Sequence, residues 1–146
     1  MNKVICYPRC CTPKYYSDDC YYFEMFTVPE QKIDNVGHVG VQLFKELRKS
    51  KIAPTVEALD FTIIAMAVVA ADKAVLRTRS ADGWTRKIEL CIYLHDAPKW
   101  RQEKRKLEDM LRFLSGDFWV LNINVLPESL VPQKKYDLRQ QDCICL

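Results

Sequence analysis

A chain of 146 residues with 49% hydrophobic and 28% charged side chains has the size and composition of one globular domain around a single core. Disordered, fibrous and multidomain architectures are excluded on those grounds. The net charge of +3, with acidic residues interspersed among the basic ones, excludes binding of nucleic acid through bulk charge, so any such surface must come from local clustering.

Residues 3–7, KVICY, are β-prone and stopped by Pro8, which predicts a first strand. Residues 9–19, with Cys-Cys, Thr-Pro and two aspartates, predict a loop. A second strand is expected over 21–28, YYFEMFTV, with large apolar groups on both faces. From Val36 to Lys51 the apolar positions Val36, Val39, Leu43 and Leu47 recur at helical spacing and predict an amphipathic helix ended before Pro54.

The next stretch, ALDFTIIAMAVVAADKAV over 58–75, offers the longest apolar run in the chain. Its length and alanine content predict a helix capped by Thr55, with Glu57 in the first turn, buried nearly all round. Asp60 and Asp72 bracket about eleven residues, too few for the roughly 20 that cross a bilayer. After the turn signal Asp82-Gly83, residues Ile88, Leu90, Ile92 and Leu94 alternate with polar ones and predict a half-buried strand. Asp96 and Pro98 open a third helix, with Trp100, Leu107, Leu111 and Leu114 on its apolar face and Gly116 at its end. Residues 118–126 alternate again, with Trp119, Leu121, Ile123 and Val125 on one side. Residues 127–141 are polar and contain two prolines, as a linker would, and the final DCICL is β-prone.

Chemistry is sparse. The four glycines form no phosphate-binding loop, and His38 and His95 lack a neighbouring Cys or Ser pattern, so structural or surface roles are expected for both. Seven cysteines, an odd number, and an N-terminus carrying Lys3, Pro8 and Arg9 in place of a leader predict reduced thiols and a cytoplasmic protein. Cys6, Cys10, Cys11 and Cys20, even with Cys143 and Cys145, do not match a paired zinc spacing, and no metal is expected.

The cluster Asp72, Arg77, Arg79, Trp84 and Arg86, with Asp82 between, is the candidate binding site. Asp72 at the end of an apolar helix needs a cationic partner, and Arg77 or Arg86 is the natural one. The same cluster reads either as an internal ion pair pinning the helix-to-strand loop or as a surface for an anion or a partner protein.

In order, the segments LDFTIIAMAVVAADKAV, RSADGWTRKIEL, LEDMLRFLSGDFW and DLRQQDCICL, with a fainter match in VICYP, resemble the N-terminal region of QueC-like PP-loop proteins of anti-phage defence, of the QatC type. The positions that carry the pattern are Asp60, Asp72, Trp84, Arg86, Asp117 and Trp119. In 7-cyano-7-deazaguanine synthase-like proteins of this kind, the last strand would lead into the PP-loop, and ATP, magnesium and zinc belong to that domain. The resemblance therefore implies a non-catalytic accessory region over 1–126, followed by a linker and the start of a strand over 127–146, with no cofactor of its own. A protein partner or the PP-loop domain itself is the implied partner, and no membrane. The alternative is a self-standing module that binds nucleic acid through the Arg and Lys residues of the third helix and the 77–87 loop.

The fold expected from all of this is α+β, with about four strands in the order β-β-α-α-β-α-β, in a single layer packed on three helices.

Overall fold

The computed structural model describes residues 1–29, 33–127 and 130. The mixed helix and strand content follows expectation, but among the described residues the sheet has five strands and the α-helices number four. Strands β1 (Asn2–Pro8), β2 (Cys20–Met25), β3 (Val36–Val39), β4 (Lys87–Leu94) and β5 (Phe118–Val125) form one sheet in the order β3-β2-β1-β4-β5, with every neighbouring pair parallel. The helices are α1 (Leu43–Lys49), α2 (Val56–Ala74), α3 (Ala97–Gln102) and α4 (Lys104–Ser115).

Three corrections follow. Val36 and Val39, read as the first turn of a helix, form β3, because four residues with two β-branched side chains beside Tyr22–Met25 complete a ladder. The predicted third helix divides at Glu103 into α3 and α4. Finally, α2 is not buried all round. Leu59, Ile63, Ile64, Ala67, Ala70 and Ala71 face the sheet, while Phe61 and Val69 on the opposite side are more than half exposed. An apolar run does not by itself require burial on every side when the sheet offers only one face to cover.

The caps form as the sequence predicts. Thr55 accepts a hydrogen bond from the Ala58 N–H at 3.2 Å, Asp96 accepts from the Lys99 N–H at 3.4 Å, and Gly116 takes the left-handed conformation after α4.

One core holds the domain together. Val4 and Cys6 of β1, Met25 of β2, Ile88, Leu90, Ile92 and Leu94 of β4, and Trp119, Leu121 and Ile123 of β5 pack with the inner face of α2 and with Leu107 and Leu111 of α4. All of these point to the same side of the sheet, so α2 and α4 cover one face. On the other face, Tyr7 and Tyr22 are buried under the loop that follows β1. Tyr16 stacks edge-on against Tyr22 with ring centres 4.9 Å apart, and its hydroxyl lies 3.1 Å from that of Tyr7. Burial of Tyr7, together with its bond to Tyr16, pushes its phenol well above the usual tyrosine range. Beyond that loop the face formed by β4 and β5 carries Glu89, Cys91, Tyr93, Asn122 and Asn124, with Phe118 and Val120 exposed.

The outer edge of β5 is protected by side chains. Glu108 accepts the outward N–H of Leu121 at 2.8 Å, and Arg101 donates to the carbonyl of Ile123 at 2.8 Å. Both occupy groups that would otherwise template another strand.

Gly40 sits where β3 meets α1, with φ of 72° and with room for nothing larger: an added Cβ would lie 2.8 Å from the Phe26 ring and 2.9 Å from the Met66 sulfur. Gly83 has the same handedness but opens onto solvent. Gly40→Ala is therefore expected to cost about 2–4 kcal/mol, combining a left-handed alanine with overpacking, whereas Gly83→Ala costs only the backbone term of about 1–2 kcal/mol. Urea denaturation of the two variants checks the difference, and equal losses would rule out the packing explanation.

Candidate functional site

Two acidic side chains, each fully buried, organise the two ends of the sheet. At the amino ends of β4 and β5 stands Asp117. Because Lys87 pairs with Phe118 in the parallel register, the residues just before them, Arg86 and Asp117, are brought side by side. The Arg86 N–H donates to Asp117 Oδ1 at 2.9 Å, and its Nε and Nη2 donate to Oδ2 at 3.1 and 2.6 Å.

The same guanidinium reaches the end of α2. Nη2 donates to the carboxylate of Asp72 at 2.6 Å, and Nη1 donates to the carbonyls of Asp72 and Val75 at 2.9 and 2.8 Å. All five of its N–H groups thus have acceptors inside the chain, and Arg86 is 2% exposed. Arg77 closes the other side of Asp117 with a two-pronged pair at 3.0 and 3.1 Å, and also donates to the carbonyls of Trp84 and Ser115. Burial alone would push Asp117 up. The hydrogen bonds from Arg86, with the charges of Arg86 and Arg77, outweigh it and hold the carboxyl below its ordinary range. Bonding to Asp117 likewise raises Arg86 further against the opposing effect of burial.

The structure thus brings Asp72, Arg77 and Arg86 into one network around a residue that was not among the candidate ligands. A signal for Asp117 existed in the sequence, since it precedes β5 as Arg86 precedes β4. Using it required knowing that the two strands are adjacent and parallel. Arg79 stands apart and donates to the Tyr21 hydroxyl at 3.3 Å. Trp84 projects outward, 68% exposed, with the Arg77 guanidinium 5.4 Å from its ring centre. The loop that carries it is fixed by Asp82, which accepts from the N–H groups of Trp84 and Thr85 at 2.9 and 2.7 Å and is held well below the usual carboxylate range by those bonds.

Arg77, over which the Trp84 ring sits, also lines a groove of ≈ 370 Å³ formed by Val68, Val69 and Asp72 of α2, Leu111, Leu114 and Ser115 of α4, and Trp119 of β5. Leu114, assigned by its spacing to the core, is 70% exposed on the rim of this groove, and Phe113 and Met110 continue the apolar surface along α4. The cations of α4 are largely neutralised within the helix, with Lys104 against Glu108, Arg105 against Asp109 and Lys106 against Glu103.

At the opposite end of the sheet, Asp60 projects from α2 into the turn after β4. Its Oδ1 accepts from the His95 N–H and lies 2.7 Å from His95 Nδ1, while Oδ2 accepts from the Asp96 N–H and the Trp100 indole N–H. His95 Nε2 in turn accepts from the Leu130 N–H at 3.0 Å, which places the imidazole proton on Nδ1. His95 is therefore a link between α2 and the segment that follows β5. His38 lies on β3 with its Nδ1 3.9 Å from Glu24, beyond hydrogen-bonding range.

The strand order reverses between β1 and β4, the position where open parallel sheets bind ligands in the crevice at their carboxyl ends. In nucleotide-binding sheets of that order, a helix follows β1 and turns its N-terminus toward the phosphates. Here β1 runs into a single 3-10 turn, Arg9–Cys11, and then a loop, so no helix N-terminus faces the crevice from β1. Among the described residues no group of three His, Cys, Asp or Glu side chains is placed to hold a metal ion, and no helix is long and apolar enough to cross a membrane.

These features define a parallel-sheet α/β domain whose buried acids organise its own loops, with an aromatic and apolar surface at one end. No protein-family model, no curated protein and no solved structure matches the chain.

Proposed function

We propose that this chain is the non-catalytic N-terminal accessory domain of a QueC-like PP-loop ATP-pyrophosphatase, serving nucleobase chemistry of the 7-deazaguanine type or anti-phage defence. It docks the PP-loop domain through the surface formed by Trp84, Leu114 and Val69. The order of the shared segments supports the parentage. The exposed Trp84 ring carries the docking reading: it is held over Arg77 beside an apolar groove, and tryptophan and arginine set around apolar side chains are the residue types that dominate binding energy at interfaces. Arg86 contributes by fixing the loop and does not reach a partner, because its donors are all taken.

Titration of the chain against a QueC-like PP-loop domain tests this reading. Association that changes little with added salt, and that Trp84→Ala or Leu114→Glu weakens about 30-fold or more, a loss of ~2 kcal/mol, is the expected result. Both side chains lie on the surface, so each variant keeps the wild-type melting temperature. No association, or retention of nucleic acid that falls steeply with salt, would replace the docking reading by the nucleic-acid alternative.

A further inference from the structure

We propose that Cys10 and Cys11 form a reversible redox pair that closes a vicinal disulfide when a hydroperoxide oxidises the exposed Cys10. The two residues occupy the 3-10 turn after β1, neither is in a disulfide, and their sulfur atoms are 3.9 Å apart.

The other described cysteines are not placed for this chemistry. Cys6 is sealed in the core, and burial pushes its thiol up to about 12, which keeps it un-ionised and inert. Cys20 and Cys91 lie on β2 and β4 with β1 between them, and burial raises the Cys91 thiol despite its contact with Asn122.

The chemistry balances with a hydroperoxide as the oxidant. The Cys10 thiolate attacks one peroxide oxygen, the O–O bond breaks, and one water (or an alcohol) leaves as Cys10 becomes the sulfenic acid. The Cys11 thiol then attacks the Cys10 sulfur, the S–S bond forms, the S–O bond breaks, and a second water leaves with the Cys11 proton. Two electrons pass from the thiols to the peroxide. The second step is fast because the attacking sulfur is already a neighbour.

The product is reversible for a geometric reason. Consecutive α-carbons lie about 3.8 Å apart, closer than the roughly 4.4–6.8 Å that a relaxed disulfide spans, and strained, exposed disulfides are the readily reduced ones. Ring closure also acts on the turn itself. Thr12 donates through both its N–H and its hydroxyl to the Arg9 carbonyl, and the Arg9 side chain bonds Glu24 on β2 and the Val28 carbonyl. Oxidation therefore loosens a clamp at the carboxyl end of β1, next to the reversal of strand order.

Trypsin releases residues 10–14 as a peptide that contains these two cysteines and no others. After hydrogen peroxide treatment of the intact protein, mass spectrometry is expected to find this peptide short of both thiol hydrogens and unreactive to alkylation, and reduced glutathione is expected to restore alkylation fully. In Cys11→Ser the reaction stops at oxygen added to Cys10. In Cys10→Ser the site stays reduced at the same peroxide concentration. A wild-type peptide with sulfinic acid on Cys10 and an alkylated Cys11, a disulfide from either residue to Cys20, or a product that glutathione does not reverse would each overturn the proposal.

Discussion

Asp117→Ala is expected to lower the stability of the domain by about 3–5 kcal/mol, the range for removing one partner from a buried ion pair. The loss exceeds that of a surface pair because of what remains behind. Without the carboxylate, Arg86 stays buried with its Nε unpaired, its backbone N–H loses its acceptor, and Arg77 loses both prongs of its anchor. Asp72 cannot compensate, being half exposed and already bonded to the far side of the Arg86 guanidinium.

Asp117→Asn is expected to be nearly as damaging, since it turns an amide N–H₂ toward guanidinium donors. A fall in melting temperature of about 10 °C or more is the expected reading for a domain of this size. A loss below about 1 kcal/mol for the alanine variant would show that the network does not stabilise the fold. The pH dependence carries a sign that follows from the lowered carboxyl. A group whose folded value lies below its unfolded value contributes stability that is complete above the unfolded value of about 4, and loses it as the pH falls through the folded one. Wild-type melting temperature should therefore drop below about pH 4, and the drop should be shallower in Asp117→Asn.

The second large effect is expected at Asp60. Its alanine variant strips acceptors from the N–H groups of His95 and Asp96 and from the Trp100 indole, all in a part-buried turn. Each orphaned donor costs about 1–3 kcal/mol, less where water can enter, for a combined loss of about 3–5 kcal/mol. Asp60→Asn keeps one acceptor oxygen and opposes two donors with its own N–H₂, so it should fall between wild type and alanine. Trp100 adds a local readout: its fluorescence should shift in both variants, while the packing of Trp119 at the other end of the sheet is untouched. Stability of the alanine variant within about 1 kcal/mol of wild type would refute this account of the turn.

The sequence carried the strands with clean alternation. Ile88, Leu90, Ile92 and Leu94 all point into the core, as do Trp119, Leu121 and Ile123, because a period of two leaves only one way to bury them. Caps were equally legible at Thr55, Asp96 and Gly116, since each depends on its own neighbours. What escaped was whatever depended on distant residues. Val36 and Val39 fit a helical spacing as well as a strand, and only the free edge of β2 decides between them. The outward faces of Phe61, Val69 and Leu114 were hidden for the same reason, because an apolar pattern does not state how much of it a partner layer will cover. In the candidate site, the pairing of Asp72 with Arg86 could be anticipated from charge and proximity along the chain. The central role of Asp117 follows only from the adjacency of two parallel strands.

The position of β1 in the middle of the sheet also constrains how the protein is made. On a ribosome, Asn2 and Val4 emerge well before the strand that must lie on their second side, beginning near Ile88, is translated. At roughly 5–20 residues per second, the nascent chain holds one flank of β1 unsatisfied for several seconds. Its maturation is therefore gated by synthesis of the second half, and a translational pause before β4 would prolong exposure of a sticky, incomplete intermediate to chaperones and to other nascent chains.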